Sequence, residues 1–495
     1  MKVVVMGAGF GGIASALRAR ALGFDVVLVE KNQQIGGRAQ VFNVDGYRHD
    51  AGPTVITAPF LFDELFALFN RERADYIEFT PLKVWYRFVF DDLSTFDYGG
   101  SQHDIETAIG NIDPSDVQHY RSLLQESKSI YHVGFERLAD KPFHRMTDMM
   151  KLLPAMIKLK SYRSVWQLVS SHMQNEKLRQ AFSIQPLLVG GNPFDTTSIY
   201  NLIHFLERKF GIHFAMGGTG ALVKALEKLM IEQDIEIITS NSVELIETKD
   251  NYVKSVTLQD GTNLPCDHLI SNIDPAYLYG KLLKKESSIV ATARTKLARK
   301  SMGLFVLFFG TDKQYSAVEH HTILLGKRFK GLLDDIFKHK VLTDDFSLYL
   351  HRPTATDPSF APQGHDSFYA LVPVPNLDGG QNWKEDGEKL KQRVIKRLSQ
   401  TVLPDLESHI QSVFYMTPED FKDDYLSPSG AGFSISPHFY QSAWFRYHNN
   451  GEGLNNLSLA GAGTHPGAGL PGVLSSAKVV ESLLKQKYGK VGGSQ

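Results

Sequence analysis

The 495-residue chain contains one cysteine, Cys266, so neither an intramolecular disulfide nor a cysteine-rich metal site is open to it. That usage suits a reducing cytoplasm. Its 53 Lys and Arg against 54 Asp and Glu leave a net charge of −1, so no overall field draws nucleic acid. The sequence has no run of about eighteen apolar residues, the length a bilayer-spanning helix requires. The apolar start Val3–Val5 runs straight into a glycine turn, without the cleavage region of a signal peptide. Repeats and low-complexity segments are also missing. Apolar residues (42%) and glycine (41 residues) are plentiful, enough for a sizeable core in several domains or one interleaved fold.

The glycines gather at the two ends. Residues 2–7 form a β-branched run, followed by Gly7-Ala-Gly-Phe-Gly-Gly12, a helical stretch to Leu22, Gly23, and a second apolar strand ending at Glu30. This is the strand–turn–helix–strand unit that binds dinucleotides. Gly7 permits the tight turn, Gly9 lets backbone approach a pyrophosphate, and Gly12 allows close helix–strand packing. The helix N-terminus offers free N–H groups to phosphate, and Glu30 is placed to accept hydrogen bonds from ribose hydroxyls. At the other end, Gly461-Ala-Gly-Thr-His-Pro-Gly-Ala-Gly-Leu-Pro-Gly-Val473 is a long backbone-rich surface suited to a flat ring.

Between the ends, residues 60–75 read as a helix, 82–98 as an aromatic hairpin around Asp91-Asp92, and 104–190 as mostly helical, with a helix start at Asp113-Pro-Ser-Asp116. A helix behind Gly217-Gly-Thr-Gly220, then strands at 235–239, 242–248, 252–259 and 266–271, return the chain to the nucleotide sheet. Asn272 falls at a strand's carboxyl end, where ligands of open α/β sheets collect. Apolar strands at 302–309, 347–350 and 367–372 suit a second sheet.

Gly7–Gly12, Gly36-Gly-Arg38, Asp50-Ala-Gly-Pro-Thr54, Gly217-Gly-Thr-Gly-Ala-Leu222, Ser271-Asn-Ile-Asp274 and Gly461–Gly472 together resemble the bacterial-type carotenoid desaturases, from about residue 2 to residue 485. The Gly-Thr-His-Pro-Gly run is the most specific part. The resemblance implies an α/β fold with an α+β substrate domain: a Rossmann-like FAD-binding domain built from both chain ends, interleaved with a sheet-plus-helices substrate domain and a helical membrane-facing part. The expected division is 1–80, 216–280 and 446–485 for the FAD-binding domain, 81–215 for the helical membrane-associating part, 281–445 for the substrate sheet, and 486–495 for a flexible tail. FAD is implied over NAD. The expected cofactor contacts are Gly7, Gly9, Phe10, Gly11, Gly12, Glu30, Lys31, Gly37, Arg38, Pro53, Thr54, Val55, Val243, Asn272, Gly463, Leu470, Pro471, Gly472 and Val473.

The implied reaction removes a hydride, taken by the flavin, and a proton from neighbouring carbons of an acyclic isoprenoid polyene. The protein's task is alignment and exclusion of water, with no strong base required. His465 is the one ionisable side chain inside the C-terminal glycine motif. It is a candidate proton acceptor and equally a loop anchor. Arg38 and Arg446 are read as holding phosphate or backbone, and His49 as part of the loop beneath the flavin. No metal is expected: His320-His321 is read as a loop pair at a spacing that rarely chelates one ion.

The substrate is expected to be a hydrophobic carotenoid of the phytoene type, with a 1-hydroxycarotenoid 3,4-desaturase as the alternative. A flavin amine oxidase would carry a different pattern from Thr464-His-Pro-Gly467. A prenyl-binding escort protein would not need intact Gly7, Gly9, Gly12, Glu30 and Arg38. The basic amphipathic stretch 146–171, and more weakly Lys327-Arg-Phe-Lys330, are candidate contacts with an anionic membrane. The location expected is cytoplasmic, peripheral on the inner face of the cell membrane, with no nucleic-acid partner.

Overall fold

The computed structural model describes residues 1–285 and 288–489. The chain opens with β1 (Lys2–Met6), α1 (Phe10–Ala21) and β2 (Asp25–Val29), and later adds the hairpin β3 (Val84–Val89) and β4 (Thr95–Gly99). Helix α2 (Met146–Lys158) lies in the helical stretch, then come α3 (Gly218–Glu232), β5 (Glu236–Ile238) and β6 (His268–Ser271). The remaining strands named here are β7 (Gly303–Thr311), β8 (His321–Leu324), β9 (Leu348–His351), β10 (Asp366–Val374), β11 (Ile410–Met416) and β12 (Leu457–Leu459), before the final helix α4 (Leu470–Tyr488).

One sheet is parallel throughout, in the order β12-β6-β1-β2-β5, so both ends and the middle of the chain build it. β1 is at its centre with Val3, Val4 and Val5 fully buried. Strand alternation divides its contacts. Val3 and Val5 share a core with Ile13 and Leu17 of α1 and with Leu474 and Ala477 of α4, whereas Val4 and Met6 join Ile246 and Val256 on the opposite face. Covered on both sides, such strands must be apolar at every position.

The second sheet runs β11-β7-β10-β9-β8-β3-β4 and is antiparallel except where β8 meets β3. Its centre, Gly303–Thr311, is buried along its whole length. Residues 60–75 do not make one helix: Phe60–Ala67 is followed by a break and a short turn at Arg73–Asp75. The stretch 146–171 is also divided. α2 ends at Lys158, and the helix Val165–Ser170 buries Val165, Leu168 and Val169 in the core. Lys327–Lys330 offers little to a membrane, because Phe329 is buried against Trp166 and Phe194. His320-His321 is no simple loop pair: His321 opens β8 directly opposite His351. The tail expected at 486–495 begins inside α4, which runs to Tyr488, and residues 490–495 lie outside the described residues.

Candidate active site

The two glycine-rich ends meet. Gly7 takes φ +93°, turning the chain after β1, and α1 starts at Phe10 with Gly9 as its N-cap. A Cβ on Gly12 would lie 1.9 Å from the Gly7 carbonyl oxygen, so only glycine lets the helix return this close to the strand. A Cβ on Gly11 would lie 3.2 Å from Gly461 Cα and 2.4 Å from Asn272 Nδ2. Asn272 joins the parts: its N–H donates to the Met6 carbonyl (2.8 Å) and its Nδ2 to the Ala460 carbonyl (3.1 Å). Phe10 itself turns into the core, edge-on to Phe62, and leaves only its backbone at the turn.

At the end of β2, Glu30 is 7% exposed. Its Oε2 accepts the Ala8 N–H at 2.8 Å and its Oε1 the Asn32 N–H at 2.9 Å, while burial pushes its pKa up. The carboxylate thus fixes the turn and keeps lone pairs for a ribose. Lys31 reaches the carbonyl oxygen of Asp423 at the rim. Val243 starts the strand that follows Asn241, whose N–H donates to the Glu30 carbonyl at 3.1 Å. Gly37 packs on the phosphate turn, since its Cβ would be 3.0 Å from Gly9 Cα. Beside it, the half-buried Arg38 has one long contact, Nη2 to Ser427 Oγ at 3.4 Å, and its buried Nε is without a partner. Burial works against its charge, and Asp274 and Tyr425 offset that.

Residues 53–55 are tied to the second sheet, the helical cluster and the start of α3. The Thr54 hydroxyl contacts Tyr369 Oη at 2.9 Å and Tyr349 Oη at 3.1 Å, both on the second sheet. Val55 packs with the helical cluster, and Pro53 accepts Thr219 Oγ1 through its carbonyl at 3.2 Å. His49 is likewise held, contacting Ser367 Oγ at 3.0 Å and packing on Phe308 and Phe414. Asp50 accepts the Thr219 N–H at 2.9 Å at the start of α3, and its burial raises its pKa to about 6.

The C-terminal glycine segment is held from within. Arg446, 1% exposed, donates through Nε to the Thr464 carbonyl (2.9 Å) and through Nη2 to the Ala462 carbonyl (2.5 Å), with Nη1 unpartnered. His465 donates through Nε2 to the Leu138 carbonyl at 3.1 Å and stacks on Phe143. Because a carbonyl only accepts, the neutral ring has a bare Nδ1, and that atom is buried without a partner. Burial lowers the His465 pKa to about 4, so the ring is neutral at pH 7. A Cβ on Gly463 would meet Pro275 Cδ at 2.4 Å and Ser434 Oγ at 2.8 Å, and one on Gly472 would meet the Gly467 carbonyl oxygen at 2.5 Å. Leu470, Pro471, Gly472 and Val473 form the first turn of α4, whose N–H groups add a second positive helix end to that of α1. Ser434, and Tyr200, whose Oη would lie 3.3 Å from a Cβ on Gly467, border the same segment. No local pattern marks either residue in the sequence.

Two helix N-termini, a backbone stripped of Cβ atoms, a ribose-ready carboxylate and buried arginine nitrogens without partners fit a flavin dinucleotide with its anionic diphosphate. The chain matches the family model of flavin-containing amine oxidoreductases over residues 10–480. It is 45% identical to a lycopene-forming phytoene desaturase of Pseudescherichia vulneris over 98% of this chain and 99% of that protein. It is 40% identical to a neurosporene-forming phytoene desaturase of Rhodobacter capsulatus, over 98% and 94% of the two chains. Among solved structures, an oxidoreductase from Methanosarcina mazei shares the fold, with TM-score 0.67 at 16% identity over 97% of this chain and 100% of that one. The chain belongs to the flavin-containing amine oxidoreductases and, within them, to the FAD-dependent carotenoid desaturases of the bacterial type.

Proposed function

We propose that this chain desaturates an acyclic phytoene-type carotenoid, working from the cytoplasmic face of a membrane. Likeness to phytoene desaturases along nearly the whole of both chains carries the substrate class. Gly7–Gly12, Glu30, Arg38, Asn272 and the first turn of α4 would hold FAD, and Gly463 would present backbone to its ring. Bound FAD supplies the hydride acceptor. The chain's own residues bind and orient the polyene and keep water out. His465 holds the glycine segment against Leu138 and keeps a bare, buried Nδ1. The parallel sheet and the second sheet support an interleaved division at about residues 80, 215, 280 and 445.

Helix α2 supports the membrane reading. Met146, Met150, Leu153 and Ile157 fall on one face and are 52%, 68%, 48% and 62% exposed. Leu152 and Met156 pack inward, and exposed Lys151, Lys158 and Lys160 flank the stripe. An apolar stripe bordered by lysines fits the interface of an anionic bilayer. Among the described residues, no helix is long and apolar enough to cross a membrane.

The test is incubation of the purified protein with phytoene and, separately, with 1-hydroxylated acyclic carotenoids, reading the absorption maxima of the products. New conjugated products from phytoene are expected. Conversion of the hydroxylated substrates alone would assign the 3,4-desaturase reading. No visible flavin band and no FAD uptake on reconstitution would overturn both.

A further inference from the structure

Three histidines outside the flavin-binding segments converge in the second sheet. β8 and β9 pair antiparallel with His321 directly opposite His351, and His320 flanks them where its carbonyl accepts the Arg352 N–H at 2.9 Å. All three are at most 3% exposed. One ring nitrogen from each lies within 4.8 Å of the others, and the ring centroids are 4.6, 4.8 and 5.3 Å apart.

The surrounding hydrogen bonds select which nitrogens remain free. His320 Nδ1 contacts Thr356 Oγ1 at 2.7 Å, and His321 Nδ1 contacts Tyr349 Oη at 2.6 Å. The Nε2 atoms of both, and both ring nitrogens of His351, are buried without hydrogen-bond partners. Buried polar atoms left this way are costly, and three around one point are an unusual concentration of that cost. A cation shared by them would satisfy all three. His320 and His321 carry the signature of metal-bound histidines, one nitrogen free and the other fixed by a polar group, whereas neither nitrogen of His351 is fixed.

We propose that His320, His321 and His351 bind one divalent late first-row transition ion, with zinc the best match. Three imidazoles without a carboxylate do not suit magnesium or calcium, which take oxygen ligands, and do suit zinc and its neighbours. Arg352 is close enough to disfavour positive charge at His320, and its Nη1 is engaged by Asp366 at 3.3 Å and by the Tyr315 carbonyl at 2.8 Å, which offsets part of that charge. The ion would brace β8 against β9. Through Tyr349, which also contacts Thr54, it would further steady the segment at residues 53–55.

The experiment uses untagged full-length protein produced in medium supplemented with zinc, exchanged into chelator-treated buffer and analysed by inductively coupled plasma mass spectrometry. About one zinc per chain is expected, and His351→Leu should retain less than one-tenth of that while still binding FAD. Zinc K-edge X-ray absorption on the wild-type protein tests the site without any variant, and three imidazole nitrogens at about 2.0–2.1 Å are expected. Wild-type protein with less than one-tenth of an equivalent of any transition ion would overturn the proposal. So would a first shell of sulfur or carboxylate oxygen, or unchanged zinc in a His351→Leu protein that still binds FAD.

Discussion

His465 has its Nε2–H on the Leu138 carbonyl and its face on Phe143, so both its position and its tautomer are set by neighbours. Loss of those contacts disturbs the loop more than the chemistry, because the proton beside an allylic cation is acidic. His465→Ala is therefore expected to lower turnover less than about tenfold, whereas a general base is worth about 10²–10⁴-fold. A fall in the larger range under saturating FAD would make Nδ1 the proton acceptor. Gly9→Val acts on the cofactor. At the α1 N-cap, even a Cβ would lie 2.9 Å from Asn272 Oδ1, and the branched side chain would cover the first-turn N–H groups. The variant should purify without flavin, and a yellow preparation would refute the placement. The glycine turn that carries Gly9 was legible in the sequence because it is made by local backbone. Thr54 and His49 were not, because their direction is set by Tyr369, Tyr349 and Ser367, more than three hundred residues away along the chain for Tyr369 and Ser367.

Helix α2 and its continuation differ in what covers them. Both have amphipathic sequences, and amphipathicity alone does not distinguish a face covered by protein from one covered by lipid. Val165, Leu168 and Val169 have a core to enter, whereas the stripe from Met146 to Ile157 has none. The double variant Met150→Glu, Ile157→Glu should reduce co-sedimentation with anionic phospholipid vesicles at least about tenfold. Its stability should change by no more than about 0.5 kcal/mol per site, as expected for exposed positions. Unchanged sedimentation would remove α2 from the membrane reading. The histidine trio was hidden at the same scale. Spacing reveals ligands on one helix or loop, but His351 reaches His321 only through strand register.

Across the whole molecule, burial takes in titratable groups on both sheets, on the helices and in the C-terminal loops. Burial lowers the pKa of His204 and His268 to about 3 and of His49, His448 and His465 to about 4. Such a ring binds a proton in the unfolded chain, near pH 6.5, well before it does so in the folded one. Its stabilisation is full above pH 6.5 and drains away as pH falls toward 4, by up to about 1.4 kcal/mol per pH unit for each ring. Two carboxyls act oppositely: Glu207 is pushed up to about 8 and Asp50 to about 6, so each favours the folded state more as pH falls. Five imidazoles outweigh two carboxyls. The midpoint of thermal unfolding is therefore expected to fall by several degrees between pH 7 and pH 5.5, with net proton uptake on unfolding measurable by calorimetry in buffers of different ionisation enthalpy. A midpoint that stays level or rises over that window, or proton release on unfolding, would show that the carboxyls dominate and that these rings are not buried as neutral groups.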